Sequence, residues 1–434
     1  MNIQTFLNNH RFSKLQYSVF FFTFLIAFFD GYDTAVIGYI APSLLGEWDI
    51  DKGALAPVLS AALLGLAIGA MTFGPIADRF GRKRVLILSV MIFSLGTTIS
   101  AFVQNLLQLE ILRFITGLGL GAAMPNAVTL MSEYCPKQKR SVIVNTMFCG
   151  FPLGAALGGF IAAYLIPHYG WRSTLLFGGM IPFILSFLMI VFLPESVRFL
   201  IRKGGETALR QTKEILQKID ISAASEHHFT LDEGMVVADR KGLQLVLSKY
   251  YWQGSILLWI AYFMGLVIFY GVMNWMPTLF KEAEMPGELG AIVTGLFALG
   301  GLGAIGNGWL MDRCNGTLLI MFFSALTAVS VGLIGVFISM PLGLLIAIIL
   351  FAGIVMNTAQ SSLPALAANF YPTEGRTTGV SMMLGVGRFG GIAGSFLVAY
   401  LIQKNLSIEE IFYILALPAV ISMLCLLAKY RLYR

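Results

Sequence analysis

The stretch GPIADRFGRKR at residues 74–84 has a partial second copy, GWLMDR, at residues 308–313. Both copies keep a glycine, an aspartate and an arginine at the same spacing, and both follow an apolar run. A second repeat relates EYCP at residues 133–136 to YPTEGR at residues 371–376. Internal repeats of this kind are common in transporters that hold their substrate between two related halves. The sequence therefore predicts two pseudo-symmetric halves.

The composition of the 434-residue chain is that of a membrane protein. Hydrophobic residues make up 57% of it and charged residues only 12%, against roughly 25% charged residues in soluble domains. A run of ~20 apolar residues forms one helical span, so the runs in this chain predict an all-α membrane protein with about twelve transmembrane helices. The expected spans lie near residues 17–44, 54–75, 85–104, 107–130, 142–165, 173–193, 253–279, 289–310, 317–337, 341–367, 377–402 and 409–428.

The twelve expected spans fall into two sets of six, separated by a polar segment. We expect an N-terminal six-helix half over residues 1–195, a cytoplasmic linker over 196–250 and a C-terminal six-helix half over 251–434. The linker holds most of the clustered charge of the chain, and its stretch 206–219 is amphipathic. That pattern predicts a short surface helix within the linker.

Charged residues alternate between the loops. Lys and Arg crowd one set of loops, including residues 79–84, 137–140 and 198–249, whereas acids such as Glu47, Glu288 and Glu409 dominate the loops between them. The positive-inside rule then predicts that both termini are cytoplasmic, which requires an even number of spans. In a bacterial cell the protein would be a multi-pass component of the inner membrane.

Histidine and cysteine patterns give no sign of catalytic or metal chemistry. The cysteines have no C-x-x-C spacing, and the histidines fall in loops or at helix ends, so we expect neither a disulfide, a metal nor a cofactor. A membrane enzyme would need a reactive cluster in a pocket, and a channel would more typically be built from several subunits. The residues concerned are Cys135, Cys149, Cys314, Cys425, His10, His168, His227 and His228.

The repeated loop has the spacing G-x-x-x-D-R-x-G-R-[KR]. Its cations could simply anchor the loop in the cytoplasm, and that interpretation stays open. The spacing also resembles the signature of the major facilitator superfamily at the same loop. The resemblance implies a conformational latch between the halves, rather than substrate contact, formed by Gly74, Asp78, Arg79, Gly81, Arg82, Asp312 and Arg313.

The first span contains FFDGYDTAVIGYIAPSLL at residues 28–45. Asp30 and Asp33 are three residues apart, so both carboxylates project from one side of the helix, deep in the membrane. Two carboxylates at this depth repel each other when both are ionised, so at least one is expected to hold and exchange a proton. The alternative is a structural pair neutralised by arginines of other helices.

This first span resembles, nearly residue for residue, the signature of the aromatic acid:proton symporter family within the major facilitator superfamily. The likeness extends to RFITGLGLGAAMPN in span 4, PES at residues 194–196 and YPTEGRTTGVSMMLGVGRFGG at residues 371–391. It implies uptake, with protons, of benzoate, hydroxybenzoates, protocatechuate, vanillate, muconate or related acids. It further implies that Asp30 and Asp33 are essential for transport.

Two arginines inside expected spans are candidate substrate-binding residues, since an intramembrane charge is costly unless it is paired or faces water. Arg388, between glycines in span 11, could bind a carboxylate at two points, or could form a permanent salt bridge with Asp30 or Asp33. Arg113 in span 4 could instead pair with Glu110. The resemblance places the span-4 arginine in the proton or substrate pathway.

Five further side chains near the middle of expected spans could contact ring substituents of a substrate. For each of them, hydrogen bonding between helices or anchoring at the membrane interface is an equally good interpretation. They are Asn126, Asn274, Trp275, Asn357 and Gln360. The glycines Gly150, Gly154, Gly158 and Gly159 of span 5 are expected to serve helix packing.

The function that these patterns favour is proton-coupled uptake of a small aromatic or related organic carboxylate. The expected partners are the acid, protons and the lipid bilayer, with no nucleic acid, and a monomer is expected to be functional. Transport of another solute class, such as a sugar, remains the alternative. The aspartate pair and Arg388 favour an anion over a sugar.

Overall fold

The computed structural model describes residues 2–49, 56–221, 223, 229–230, 242–282, 296–338 and 340–433. These residues form helices joined by short turns, together with one isolated β-bridge between Asn2 and Thr230. Within these ranges, eleven helices are long and apolar enough to cross a membrane. A shorter apolar helix, Leu296–Met311, follows residues 283–295, which lie outside the described part of the chain.

The N-terminal half contains the first six candidate spans. Each predicted span has a helical counterpart, although the predicted span 142–165 is divided into two helices at Cys149. The helices are α1 (Ile3–Asn9), α2 (Lys14–Trp48), α3 (Ala56–Phe80), α4 (Arg82–Ser100), α5 (Leu106–Tyr134), α6 (Arg140–Phe148), α7 (Gly150–Tyr169) and α8 (Trp171–Phe192).

The linker and the C-terminal half supply the remaining helices. The predicted surface helix of the linker is confirmed as α10, which buries Ala208, Thr212 and Leu216 on one side. The helices are α9 (Val197–Lys203), α10 (Glu206–Gln217), α11 (Leu243–Val246), α12 (Trp252–Glu282), α13 (Ala304–Met311), α14 (Gly316–Phe337), α15 (Leu342–Phe370), α16 (Thr373–Gln403) and α17 (Ile408–Leu432).

Close packing in the N-terminal half depends on glycines at helix crossings. A Cβ atom at Gly154 would collide with the backbone of Phe28, and one at Gly150 would lie 2.6 Å from the carbonyl oxygen of Phe24. Helices α2 and α7 therefore approach backbone to backbone, as small residues allow in membranes. The prediction that the span-5 glycines serve helix packing is confirmed.

Both termini lie at the same end of the bundle, which we call the terminal end; the opposite end is the distal end. At the N-terminus, the side-chain amide of Gln4 donates to the carbonyl oxygen of Cys135 at 3.4 Å. At the C-terminus, the hydroxyl of Tyr433 accepts the backbone N–H of Gly254 at 3.1 Å.

Candidate functional site

A buried ion pair joins Asp33 of α2 to Arg113 of α5. The Arg113 guanidinium donates to one carboxylate oxygen of Asp33, and the Thr97 hydroxyl of α4 donates to the other at 2.7 Å. The side chains of Asp33 and Arg113 are 2% and 1% exposed. Arg113 therefore pairs with Asp33, whereas the alternative drawn from the sequence was a pair with Glu110.

Asp30 has different surroundings, one turn earlier on α2. Its side chain is 0% exposed, and neither carboxylate oxygen has a hydrogen-bond partner among the described residues. Arg388 of α16 supplies a compensating charge, which acts on Asp30 electrostatically across the boundary between the halves. A carboxyl group buried without donors is stabilised in its uncharged, protonated form.

Arg388 is surrounded by tyrosines of α12. Its Nη1 donates to the Tyr270 hydroxyl at 3.3 Å, and Tyr262 also lies close enough to interact with it electrostatically. A Cβ atom at Gly387 or Gly391 would overlap the ring of Tyr262 or Tyr270, respectively. The glycines around Arg388 thus make room for aromatic rings, and within the described residues no carboxylate lies within 4.0 Å of the guanidinium.

A cavity of about 130 Å³ lies between the two halves beside the Asp33–Arg113 pair. Its wall combines a polar edge with an aliphatic surface from α2, α3 and α5, and Tyr270 contributes from α12. Because α3 begins at the distal end, its lining residues near position 60 place the cavity toward that end of the bundle. The lining residues are Asp33, Thr34, Ile37, Val58, Ala62, Leu63, Leu66, Arg113, Gly117, Leu120 and Tyr270.

The remaining predicted binding residues mostly form hydrogen bonds to the backbone. The Asn357 amide donates to the carbonyl oxygen of Phe297 at 2.7 Å, and Trp275 Nε1 donates to that of Ser395 at 3.0 Å. Both contacts are of the helix-to-helix kind that the sequence left open.

Gln360 and Asn126 also donate to backbone carbonyl oxygens. Gln360 Nε2 donates to the carbonyl oxygen of Tyr262 at 3.1 Å. Asn126 donates to Ala122 within its own helix, and among the described residues its side-chain oxygen has no donor. The side chain of Asn274 lies outside the described part of the structure.

The predicted latch residue Asp78 joins the halves at the terminal end. Its carboxylate accepts the Thr378 backbone N–H at 3.1 Å and the Thr378 hydroxyl at 2.6 Å, both from α16 of the C-terminal half. Arg82 binds Asp78 at 3.0 Å and also donates to the carbonyl oxygen of Thr373 at 3.1 Å. Gly74 lies against Ser381 of the same helix, where a side chain would collide.

The second copy of the latch makes the corresponding contact in the opposite direction. Asp312 accepts the backbone N–H groups of Ser141 and Val142 at 2.8 and 2.9 Å, in the first turn of α6. Gly308 packs against the same turn. A carboxylate at the N-terminus of a helix is stabilised by the free N–H groups and by the helix dipole. Each half therefore presents one aspartate to a helix of the other half.

Three other predicted latch residues have local roles. The guanidinium of Arg79 lies 5.5 Å from the ring centroid of Phe80, and that of Arg313 lies 3.9 Å from the ring centroid of Trp309. These are cation–π contacts within one half. Gly81 has a φ of +104°, a conformation that side-chain-bearing residues rarely adopt, so it forms the turn between α3 and α4.

Sequence reasoning missed several residues of the terminal end. Glu195 of the PES stretch accepts the backbone N–H groups of Arg82 and Lys83 at 2.9 and 3.0 Å, and burial raises the pKa of its carboxyl. Buried Glu133 forms ion pairs with Arg82 at 3.5 Å and Arg376 at 3.7 Å. The charged repeats marked these segments, but they did not indicate which charges pair.

The N-terminal helix α1 also had no signal in the sequence analysis. Its residue Gln4 accepts hydrogen bonds from Arg140 at 2.7 Å and from Arg198. Arg140 in turn donates to Asn369 at 3.2 Å, and Arg198 to Thr373 at 3.4 Å, and both acceptors belong to the C-terminal half. Gln4 therefore holds two arginines that bridge the halves.

Tyr262 and Tyr270 were missed near Arg388. They are eight residues apart on α12, a spacing that puts both on one side of a helix. That spacing was the available signal, because two tyrosines on one side of a membrane helix supply hydroxyl groups at two depths.

Comparisons with known proteins identify the family and the fold of the chain. The family model of the Major Facilitator Superfamily matches residues 23–326 and 285–433. The 4-hydroxybenzoate transporter PcaK of Pseudomonas putida is 44% identical over 431 residues, 99% of this chain and 96% of that protein. The gallate transporter of Pseudomonas putida is 42% identical over 430 residues, 99% and 95% of the two chains. The solved structure of the proton:xylose symporter XylE has the same fold, with a TM-score of 0.72 and 18% identity over 94% of each chain.

Proposed function

The chain belongs to the Major Facilitator Superfamily, and we propose that it takes up a small aromatic carboxylate together with protons. The observation that carries the proposal is the electrostatic interaction between Asp30 and Arg388 across the two halves. Within the described residues, Asp30 is buried without a hydrogen-bond donor and the Arg388 guanidinium donates to the Tyr270 hydroxyl. One group suits a proton and the other an anion. The names of the relatives, a 4-hydroxybenzoate and a gallate transporter, support the aromatic class.

Arg388 is the proposed site for the substrate carboxylate. A guanidinium can bind a carboxylate through two parallel N–H···O bonds, which a tyrosine hydroxyl cannot match. Exchange of the Tyr270 hydroxyl for a substrate carboxylate would therefore give Arg388 a stronger partner. Arg113 is already paired with Asp33, so it is the second choice for the anion.

Asp30 is the proposed proton carrier. In the protonated state its side chain is neutral, and the positive charge of Arg388 is left for the substrate anion. After the substrate leaves, Asp30 can release its proton and balance the Arg388 charge until the next cycle. Proton and anion would then move together. The Arg388 charge is balanced by the substrate anion in the loaded state and by ionised Asp30 in the empty state.

The proposed topology completes the mechanism. Twelve spans in two halves, 1–195 and 251–434, with the linker 196–250 and both termini in the cytoplasm, would sit in the bacterial inner membrane as a functional monomer. The terminal end would face the cytoplasm, and the Asp78 and Asp312 contacts would hold it closed. The structure would then correspond to a state whose central cavity is reached from the outside, and alternating access would require these contacts to break.

Uptake of radiolabelled 4-hydroxybenzoate into proteoliposomes tests the proposal. An inward proton gradient should drive accumulation, and a protonophore should abolish it. Xylose added in excess should not compete with the acid. Equal accumulation against a gradient in de-energised vesicles would refute proton coupling, and a failure to transport any aromatic acid would refute the substrate class.

A further inference from the structure

Tyr270 lines the cavity beside the Asp33–Arg113 pair. Of the cavity-lining residues that the structure describes, it is the one with an aromatic ring, and it is the one from the C-terminal half. The rest of the apolar wall is aliphatic, with Ile37, Leu63 and Leu66 among its members. We infer that Tyr270 is the residue by which the transporter distinguishes an aromatic ring from a saturated ring of the same size. The inference rests on the proposed function, since it takes the cargo to be a small ring-bearing carboxylate.

The ring of Tyr270 is fixed from several directions. Gly391 of α16 lies directly against it, so that a Cβ atom there would overlap the ring. Its hydroxyl accepts the Arg388 hydrogen bond at 3.3 Å. The neighbouring ring of Phe269 is perpendicular to it, with the two centroids 5.3 Å apart. A ring held in this way presents a defined surface to the cavity and loses little conformational entropy when a ligand binds.

The aliphatic wall cannot supply the discrimination. Ile, Leu and Val side chains gain from burying any apolar surface, so they contact a benzene ring and a cyclohexane ring about equally well. An aromatic pair adds a geometric preference for offset or edge-to-face contact, through the quadrupoles of the two rings. The size of that term corresponds to a preference of roughly 2- to 10-fold in affinity.

The position of Tyr270 also suits a carboxylate-bearing ring. Its hydroxyl accepts a hydrogen bond from Arg388, and Tyr270 and Arg113 line the same cavity. A substrate whose carboxylate replaces the Tyr270 hydroxyl at Arg388 would bring its own ring alongside that of Tyr270. Recognition of the anion and of the ring would thus occur side by side.

The test compares benzoate with cyclohexanecarboxylate, which share a carboxylate and a six-membered ring but differ in aromaticity. The ratio of their apparent KM values is measured by uptake in proteoliposomes containing wild type, Tyr270→Phe or Tyr270→Leu. The preference for benzoate should fall by roughly 2- to 10-fold in Tyr270→Leu and should persist in Tyr270→Phe, which keeps the ring. Phe187→Leu is the control, because it removes an exposed aromatic ring of α8 that neither lines the cavity nor contacts Tyr270, and it should keep the wild-type ratio.

The outcomes separate this inference from the proposed function. An unchanged ratio in Tyr270→Leu, in a protein that transports both acids, overturns the role of Tyr270 and leaves the proposed function standing. If wild type carries 4-hydroxybenzoate but not benzoate, the same ratio is measured for 4-hydroxybenzoate and 4-hydroxycyclohexanecarboxylate. Failure of wild type to carry any aromatic acid overturns the proposed function and this inference with it. If Tyr270→Leu does not fold or transport, Tyr270→Ile replaces it, and the ratio of the two dissociation constants is measured by thermal shift in detergent, with the same criteria.

Discussion

The carboxylates of Asp78 and Asp312 each accept a backbone N–H from a helix of the opposite half, Asp78 from Thr378 and Asp312 from Ser141 and Val142. The two contacts are related by the internal repeat of the sequence. Together they join the two halves at the terminal end of the bundle, and under the proposed latch role opening this end would require both to break.

Asp78→Asn should slow transport more than it weakens binding. The amide removes the negative charge from the contacts with Thr378 and Arg82, and hydrogen bonds to charged groups contribute about 1.5–3 kcal/mol. That loss shifts the equilibrium between closed and open terminal ends by roughly 10- to 100-fold. The uptake rate and the equilibrium dissociation constant for 4-hydroxybenzoate are measured in parallel. Glu214→Gln, in an exposed helical ion pair, is the control. Loss of binding with a normal exchange rate would contradict the latch role.

Gln4→Ala should open the terminal end more often, because Arg140 and Arg198 lose their shared acceptor. Cys149 reports this opening, since its buried thiol lies 3.6 Å from the carbonyl oxygen of Gly301 across the boundary. In a protein whose other cysteines are replaced by serine, N-ethylmaleimide should label Cys149 several-fold faster in Gln4→Ala than in the parent. The exposed Gln217→Ala serves as control and should label at the parent rate. Equal labelling rates in all three proteins would show that Gln4 does not hold the end closed.

Arg388→Lys should retain some transport with weakened apparent affinity, and Arg388→Ala should lose more. Lysine keeps the charge but not the planar pair of donors that matches a carboxylate. In wild type, 4-hydroxybenzamide should compete poorly against 4-hydroxybenzoate, because it keeps the ring and lacks the charge. Competition binding measures both effects. If folded Arg388→Ala binds the acid as tightly as wild type, the anion site lies elsewhere, with Arg113 the next candidate.

Asp30→Asn should mainly impair transport, whereas Asp33→Asn should mainly lower stability. Asp33 neutralises buried Arg113, and removing one partner of a buried ion pair costs about 3–5 kcal/mol, so Asp33→Asn should lower the Tm clearly. Among the described residues Asp30 has no hydrogen-bond partner to lose, so Asp30→Asn should keep its Tm but lose accumulation driven by a proton gradient. Thermal unfolding and uptake are measured on the same preparations. Gradient-driven accumulation by Asp30→Asn would rule out Asp30 as the proton carrier.

Family membership, the transporter class and the multi-pass membrane location were all predictable, and the family match and the named relatives confirm them. The physical reason is that these properties depend on local sequence patterns. The length of an apolar run sets a span, and a repeated loop such as residues 74–84 and 308–313 marks two related halves. Close packing of span 5 was also predictable from its four glycines, whereas only the structure shows that α2 is the helix that packs there.

Only the tertiary structure decided which buried charges meet. Asp30 and Asp33 are equivalent candidates in the sequence, yet Asp33 is neutralised by Arg113 and accepts a hydrogen bond from Thr97. Asp30 instead interacts electrostatically with Arg388 and has no donor among the described residues. Partner choice depends on how each helix is rotated and where helices from distant parts of the chain cross. Those quantities arise from the packing of all the helices together, so no single stretch of sequence determines them.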